Sequence, residues 1–226
     1  MPRFEVNNVT LDVDDSLLNE RLSEKLDSGG YEAVEARAAS TRVKPGDRVL
    51  ELGGGVGYIS SICATITDPK NIVTVEANPN TVDVIRHNLD LNGASGVNVI
   101  HGAVVGDAQD MDTLLFHIGR AFWSSAIATV GSTQENLVEV PALRLSDLLA
   151  THKPDVVIMD IEGAEEHLFD QPWPDFVRQV IIELHPKKYS GQMVKEIFDC
   201  MSLSGLAYDP GCSRAALVGF KRVANT

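Results

Sequence analysis

The chain predicts an α/β fold built on a mostly parallel sheet with an antiparallel C-terminal edge strand, and three observations carry that prediction. Short apolar runs alternate with helical stretches from Arg48 onward, the pattern of parallel strands joined by helical crossovers. One of these runs, Val49-Leu50-Glu51-Leu52, feeds a turn with four glycines in five positions, Gly53-Gly54-Gly55-Val56-Gly57. Such a turn lets the chain leave a strand sharply and lets a ligand approach the backbone. Near the C-terminus, Leu206 to Tyr208 and Ala215 to Phe220 flank Asp209-Pro210-Gly211, which reads as an antiparallel pair.

The elements follow in order. The first forty residues hold a strand pair within Phe4 to Leu11 and two helical stretches, Ser16 to Leu26 and Tyr31 to Ser40, separated by Ser28-Gly29-Gly30. Residues 1–45 therefore form a lid or edge, and 46–226 the core of one domain spanning 1–226. Within the core we expect strands over Val49 to Leu52, Ile72 to Glu76, Val97 to His101, Asp155 to Met159 and Val180 to Leu184. Helices are expected from Val56, from Pro79 to Leu91, over Ser146 to Ala150, Ala164 to Phe169, and from Ser190-Gly191 to Leu203. Asn78-Pro79 supports the second helix, because proline suits a first turn and asparagine caps free amides. Between Gly106 and Pro141 the periodicity fails, and Thr113 to Ile118 and Ala121 to Val130 read as short strands or an insertion facing the substrate, with Trp123 at its centre. A lone tryptophan is more often a core filler than a stacking platform.

Bulk properties exclude several classes. With 226 residues and 44% hydrophobic composition, the chain is long enough for one substantial core and short for two domains. Cys63, Cys200 and Cys212 are few, odd in number and without metal-like spacing, so no disulfide framework or zinc site is indicated and a reducing, cytoplasmic setting is expected. No apolar run approaches the ~20 residues that span a bilayer, and the first residues lack a signal-peptide core. A formal charge of -13 disfavours capture of phosphate backbones. The expected partner is a small-molecule acceptor, with no nucleic acid and no membrane; a homodimer is compatible with the chain without being dictated by it.

The acidic residue beside the glycine turn selects the ligand. A carboxylate at Glu51 repels the pyrophosphate of a dinucleotide and favours a cation. S-adenosylmethionine carries an ammonium and a sulfonium at its methionyl end, and Glu51 with Gly53, Gly55 and Gly57 follows Glu-x-Gly-x-Gly-x-Gly, whereas position 58 is Tyr where a dinucleotide turn has glycine. Glu76, at the next strand end, is placed to accept hydrogen bonds from ribose hydroxyls, with Asn78 beside it. Ala103 and Val104 offer small residues to an adenine face and Asp107 an acceptor for its exocyclic amine. Tyr31 and Glu32 are positioned to close over the methionyl end, although a helix cap explains them equally.

The remaining strand ends carry Asp160-Ile161-Glu162-Gly163-Ala164-Glu165 and Glu183-Leu184-His185-Pro186. Alternation in an extended chain points Asp160 and Glu162 one way, and Glu183 and His185 likewise, so adjacent strands bring an imidazole among carboxylates. Asp160, Glu162 and His185 are the candidate catalytic groups. Crowded carboxylates raise one pKa toward neutrality, and histidine starts near 6.5. Carboxylates with one imidazole also suit a divalent cation such as magnesium or manganese, a choice that spacing does not make. The plainer reading has Glu162 capping a helix that starts at Gly163 and His185 closing a strand before proline.

These segments together resemble the FkbM-type S-adenosylmethionine-dependent methyltransferases. The resemblance runs from about Gly30 to Phe220 and rests on Gly30-Tyr31-Glu32, Val49 to Tyr58, Val75 to Pro79, Val140 to Leu149, Asp160 to Glu165 and Ile182 to Pro186. It implies a Rossmann-like class I methyltransferase sheet of seven strands and O-methylation of a hydroxyl on a sugar or secondary metabolite. Two features depart from it or stay silent: an extra glycine in Gly53-Gly54-Gly55, and a stretch from Phe116 to Val130 that names no acceptor. A protein or RNA methyltransferase and a nicotinamide-dependent oxidoreductase are the alternatives.

Overall fold

The computed structural model describes residues 1–109, 111–119, 126–127, 136–166 and 168–223. Asn7 and Asn8 both take left-handed φ angles, 50° and 65°, and join β1 (Arg3–Val6) to β2 (Val9–Asp12) as a tight antiparallel hairpin. Two asparagines at the end of α4 (Pro79–Leu91) act as a surrogate strand for its free edge. Asn92 Oδ1 accepts the Thr10 amide at 2.9 Å and Asn88 Oδ1 the Asp12 amide at 2.8 Å. The polar edge of the hairpin is thereby satisfied while its apolar side chains enter the core.

Asn19 caps α1 (Glu20–Asp27) through the Leu22 amide, so this helix begins four residues later than the composition suggests. After the Ser28-Gly29-Gly30 break comes α2 (Ala33–Arg42). The central sheet then forms from β3 (Val49–Leu52), β4 (Ile72–Glu76), β5 (Asn98–His101), β10 (Val156–Met159), β11 (Gln179–Glu183), β12 (Leu206–Tyr208) and β13 (Leu217–Arg222). Its order is β12-β13-β11-β10-β3-β4-β5, with β11, β10, β3, β4 and β5 parallel and β13 antiparallel to both neighbours. The C-terminal pair does make the antiparallel edge, but the last strand lies one place inward, between β11 and β12.

Side-chain alternation divides the core into two layers. Val49, Ile72, Ile158 and Ile181 face the layer holding α2, α3 (Tyr58–Ala64), α4 and the hairpin. Leu50, Leu52, Val73, Val157, Met159 and Ile182 face α6 (Gly191–Leu203) and α5 (Leu145–His152). Strands buried on both faces explain the near-continuous apolar runs in the sequence. A second small sheet, in the order β6-β9-β7-β8, is made by β6 (Ala103–Val105), β7 (Thr113–His117), β8 (Ala126–Ile127) and β9 (Leu137–Arg144). The irregular region is therefore sheet in the part that is described; Trp123 lies outside the described residues.

Two expected helices change. The helix expected from Val56 starts at Tyr58, because Gly57 (φ 82°) is still left-handed. The helix expected over Ala164 to Phe169 is a series of turns in its described residues. Glu162 (φ 56°) and Gly163 (φ 96°) are both left-handed, and Gly163, which would be the first helical residue, cannot be one in that conformation. Glu162 is thus not a helix cap.

Candidate active site

The parallel strands end at one cavity of about 720 Å³, at the carboxyl edge where open α/β sheets bind ligands. Strand β3 and strand β10 converge there so closely that a Cβ at Gly53 would lie 1.8 Å from the Asp160 carbonyl oxygen. Glycine at 53, with φ 94°, is the condition for the two strand ends to meet. That contact seats the Asp160 side chain beside the glycine turn.

Gly53 and Gly55 line the cavity, and Glu76 stands behind the turn. Its Oε2 accepts the Gly55 amide at 3.0 Å and its Oε1 the Asn78 amide at 2.7 Å. Burial pushes the Glu76 carboxyl up, and these amides oppose the shift. A carboxylate placed this way also has capacity to accept from a ligand hydroxyl. Asn78 is buried, caps α4 through the Asn80 amide at 3.0 Å, and serves the site through Glu76 rather than by lining the cavity. Gly57 likewise lies off the cavity wall, packed on Ile85 at the start of α3. Ala103 and Val104 line the wall from β6, with Phe116 of β7 beyond them.

Besides Asn78 and Gly57, two further cofactor assignments made from the sequence do not match these placements. Glu51 is 2% exposed, lies off the cavity wall and hydrogen-bonds the Ser60 hydroxyl. Burial pushes its carboxyl up to about 7, with Ser60 and Thr74 opposing. Glu51 is therefore a strand-interior residue that does not line the cavity. Asp107 lines a separate small cavity beside Trp173 and accepts the Ser146 hydroxyl at 2.5 Å. The chain passes beyond β6 before reaching it, which carries its carboxylate away from the main cavity.

Beside the glycine turn the structure brings Asp160, Glu162 and His185 together. His185 Nε2 lies 3.4 Å from Asp160 Oδ1 and 3.5 Å from Glu162 Oε2, while Nδ1 lies 3.1 Å from Glu165 Oε1. Burial pulls the His185 pKa down, but the Glu165 hydrogen bond and the charges of Glu165, Asp160 and Glu162 outweigh it, and the net direction is up. Asp160 is raised well above the carboxylate range by burial and then by the charges of Glu183, Glu162 and Glu32. Its Oδ1 is buried and has no hydrogen-bond partner. Lys188 fastens the left-handed Glu162, its Nζ donating to the Glu162 carbonyl at 2.6 Å and carboxylate at 2.7 Å. Asp160, Glu183 and His185 place ligand atoms within 4.8 Å of one another, a spacing that a divalent cation accepts. A proton on His185 supplies positive charge at the same point.

The N-terminal segment closes the cavity. Tyr31 and Glu32 line it, and Glu32 holds a strained left-handed conformation (φ 42°) at the start of α2. Burial raises Glu32 to about 8 and Tyr31 well above the usual phenol value. The Tyr31 ring packs on Tyr58, and its buried hydroxyl has no hydrogen-bond partner. Sequence reasoning underused Glu32, Glu165, Glu183 and Lys188. Glu183 was visible from strand alternation; Glu165 and Lys188 depend on a turn that periodicity does not reveal.

Six carboxylates line the cavity (Glu32, Glu35, Glu76, Asp160, Glu162 and Glu183), against Arg21, Lys25 and Lys187. This donor set suits a ligand with positive charge and hydroxyl groups and repels a pyrophosphate. Among the described residues, no helix is long and apolar enough to cross a membrane.

The protein-L-isoaspartate O-methyltransferase of Methanococcoides burtonii is 36% identical over 61 residues, covering 26% of this chain and 30% of that protein. The chain thus matches under a third of that relative's length. Among solved structures, precorrin-6y C5,15-methyltransferase from Geobacter metallireducens superposes with a TM-score of 0.48 at 11% identity, covering 94% of each chain. M. jannaschii TYW2 in complex with AdoMet gives 0.48 at 14% identity, covering 98% of this chain and 86% of that one. The strand order described above, rather than these distant superpositions, carries the fold assignment. The profile of the methyltransferase FkbM domain matches residues 38–209, and the chain belongs to that family.

Proposed function

We propose that the protein is an S-adenosylmethionine-dependent methyltransferase that acts on a hydroxyl of a small molecule. The observation that carries this reading is the acidic cavity itself, lined by a glycine turn and by an imidazole among carboxylates. Bound there, S-adenosylmethionine supplies a methyl group already activated on a positive sulfur. The backbone at Gly53 and Gly55, with Glu32 and Asp160, would hold the charged methionyl end. Glu76 would hold the ribose, and Ala103 and Val104 the adenine.

His185 then performs the proton chemistry. Its Nε2 faces the cavity, where it accepts the acceptor hydroxyl's proton as the oxygen attacks. Asp160 and Glu162 flank the imidazole and stabilise the imidazolium that results. Tyr31, Phe116 and Ile161 line the same space and displace water from it, which strengthens these charge interactions. Positioning supplies most of the rate, since the reacting bond needs no further activation from the protein.

Isothermal calorimetry with S-adenosylmethionine, S-adenosylhomocysteine and NAD tests the binding half of this proposal. Heat with the first two and none with NAD is the expected result. Tight NAD binding alone would return the chain to the oxidoreductase alternative. A screen of hydroxylated metabolites with labelled methyl donor tests the acceptor half.

A further inference from the structure

We propose that Glu165 is a positioning residue: it fixes the tautomer and orientation of His185, so that the lone pair lies on Nε2 and points into the cavity. This rests on the reading of His185 as the base. Glu165 is fully buried at 0% exposure, and its Oε1 lies 3.1 Å from His185 Nδ1. A carboxylate only accepts, so the hydrogen in that bond belongs to Nδ1 and Nε2 is left bare. A second tether fixes the ring's root: the His185 amide donates to the Tyr189 hydroxyl at 2.7 Å. The imidazole is thus held at its backbone and at Nδ1, and only Nε2 faces Asp160, Glu162 and the cavity.

The chain builds a special turn to put Glu165 there. Left-handed Glu162 and Gly163 reverse the chain after β10, and a Cβ at Gly163 would come within 2.7 Å of Lys188 Cδ. Lys188 in turn anchors Glu162. The turn is therefore closed against the segment that follows β11, and this brings Glu165 under the ring.

Energetics points the same way. A buried carboxylate loses its hydration, and an arginine partner is the usual compensation. Glu165 has none: its Oε1 meets the imidazole, and its Oε2 has no hydrogen-bond partner. A side chain retained at that cost for one imidazole contact serves the imidazole.

The test combines spectroscopy with a mutant cycle. Long-range ¹H–¹⁵N spectra of the ligand-free wild-type protein, with His185→Asn for assignment, should show neutral His185 carrying its hydrogen on Nδ1; a hydrogen on Nε2 overturns the proposal without any Glu165 variant. Glu165→Gln, close in shape, should lower kcat by about 10–100-fold with KM for the methyl donor held within about twofold, and Glu165→Leu should lower it further and mix the tautomers. In a His185→Ala background the Glu165→Gln loss should vanish, since Glu165 acts through the ring; losses that multiply would show a purely structural role and overturn it. If His185→Ala retains full turnover, the base reading fails, while the tautomer measurement still decides whether Glu165 holds the ring.

Discussion

Carboxylates in this protein live in two contrasting settings. Several outside the cavity meet arginines. Asp209, 2% exposed, is gripped by Arg42 through Nε at 2.6 Å and Nη2 at 3.1 Å, which ties α2 to the C-terminal strands. Asp12 joins Arg3 and His87, and Asp47 joins Arg178. Arg42 holds Asp209 well below the usual carboxylate range, and Arg3 does the same for Asp12. Inside the cavity, Asp160, Glu32 and Glu76 have no arginine and all shift upward. The same side chain is a fastener in one place and a charge awaiting a partner in the other. The second state is unfavourable for the free protein, and its concentration around one cavity is what makes that cavity the candidate site.

The largest expected effect breaks the cavity side of that contrast. His185→Ala should lower kcat by about 10²–10⁴-fold, the usual worth of a general base, while calorimetry shows donor affinity within a few-fold. Because the net shift of His185 is upward and the base must be unprotonated, kcat should rise with pH through a value above the ordinary histidine 6.5. An acidic limb below pH 6 would remove His185 from this role.

The next effect breaks the fastener side. Arg42→Ala leaves Asp209 buried with hydrogen bonds from Gln179 and the Gly211 amide but, among the described residues, with Lys221 Nζ, 3.8 Å away, as its remaining cation. Urea denaturation should show a loss of about 3 kcal/mol at pH 7. The sign with pH follows from the depressed folded value: the stability is present above the unfolded pKa near 4 and is lost as pH falls through the lower folded one. The gap between variant and wild type should therefore start to narrow below about pH 4 and close only as pH falls through that lower folded value.

A smaller effect runs in the opposite direction. Glu51 is raised to about 7 by burial, so its contribution to stability is fully present below the unfolded pKa and is lost as pH rises through 7. Glu51→Gln keeps the shape and removes the charge. It should stabilise the ligand-free protein by about 2 kcal/mol at pH 8 and by almost nothing at pH 4. A stability curve unchanged at both pH values would show that Glu51 does not carry this burden.

These contrasts also explain what the sequence made legible. The parallel strands were readable because both faces are buried, leaving apolar runs such as Val156 to Met159. The convergence of Asp160, Glu162 and His185 was readable from strand alternation and adjacency. The role expected for Glu51 failed because a strand end in sequence does not reveal which side chain turns inward; Ser60, nine residues later in α3, takes it. Asp107 failed for a related reason, since its hydroxyl partner, Ser146, lies 39 positions away. The turn at Glu162 and Gly163 was hidden because the left-handed conformation of a glutamate has no compositional sign, and a helix fitted the residues equally well.

The smallest effect tests whether every arginine partner is a fastener. Arg3 binds Asp12 through Nε at 2.7 Å and Nη2 at 2.8 Å, a geometry as good as that of Arg42, yet its side chain is 58% exposed. Water competes for such a guanidinium, and exposed pairs yield 0–1 kcal/mol. Asp12 also keeps His87 Nε2 at 2.9 Å when Arg3 is removed. Arg3→Ala should therefore lower the urea midpoint far less than Arg42→Ala does. Equal losses would mean that geometry alone sets the strength of these pairs; unequal ones would show that burial of the carboxylate and desolvation of its partner decide it, which is the distinction that sets the cavity apart.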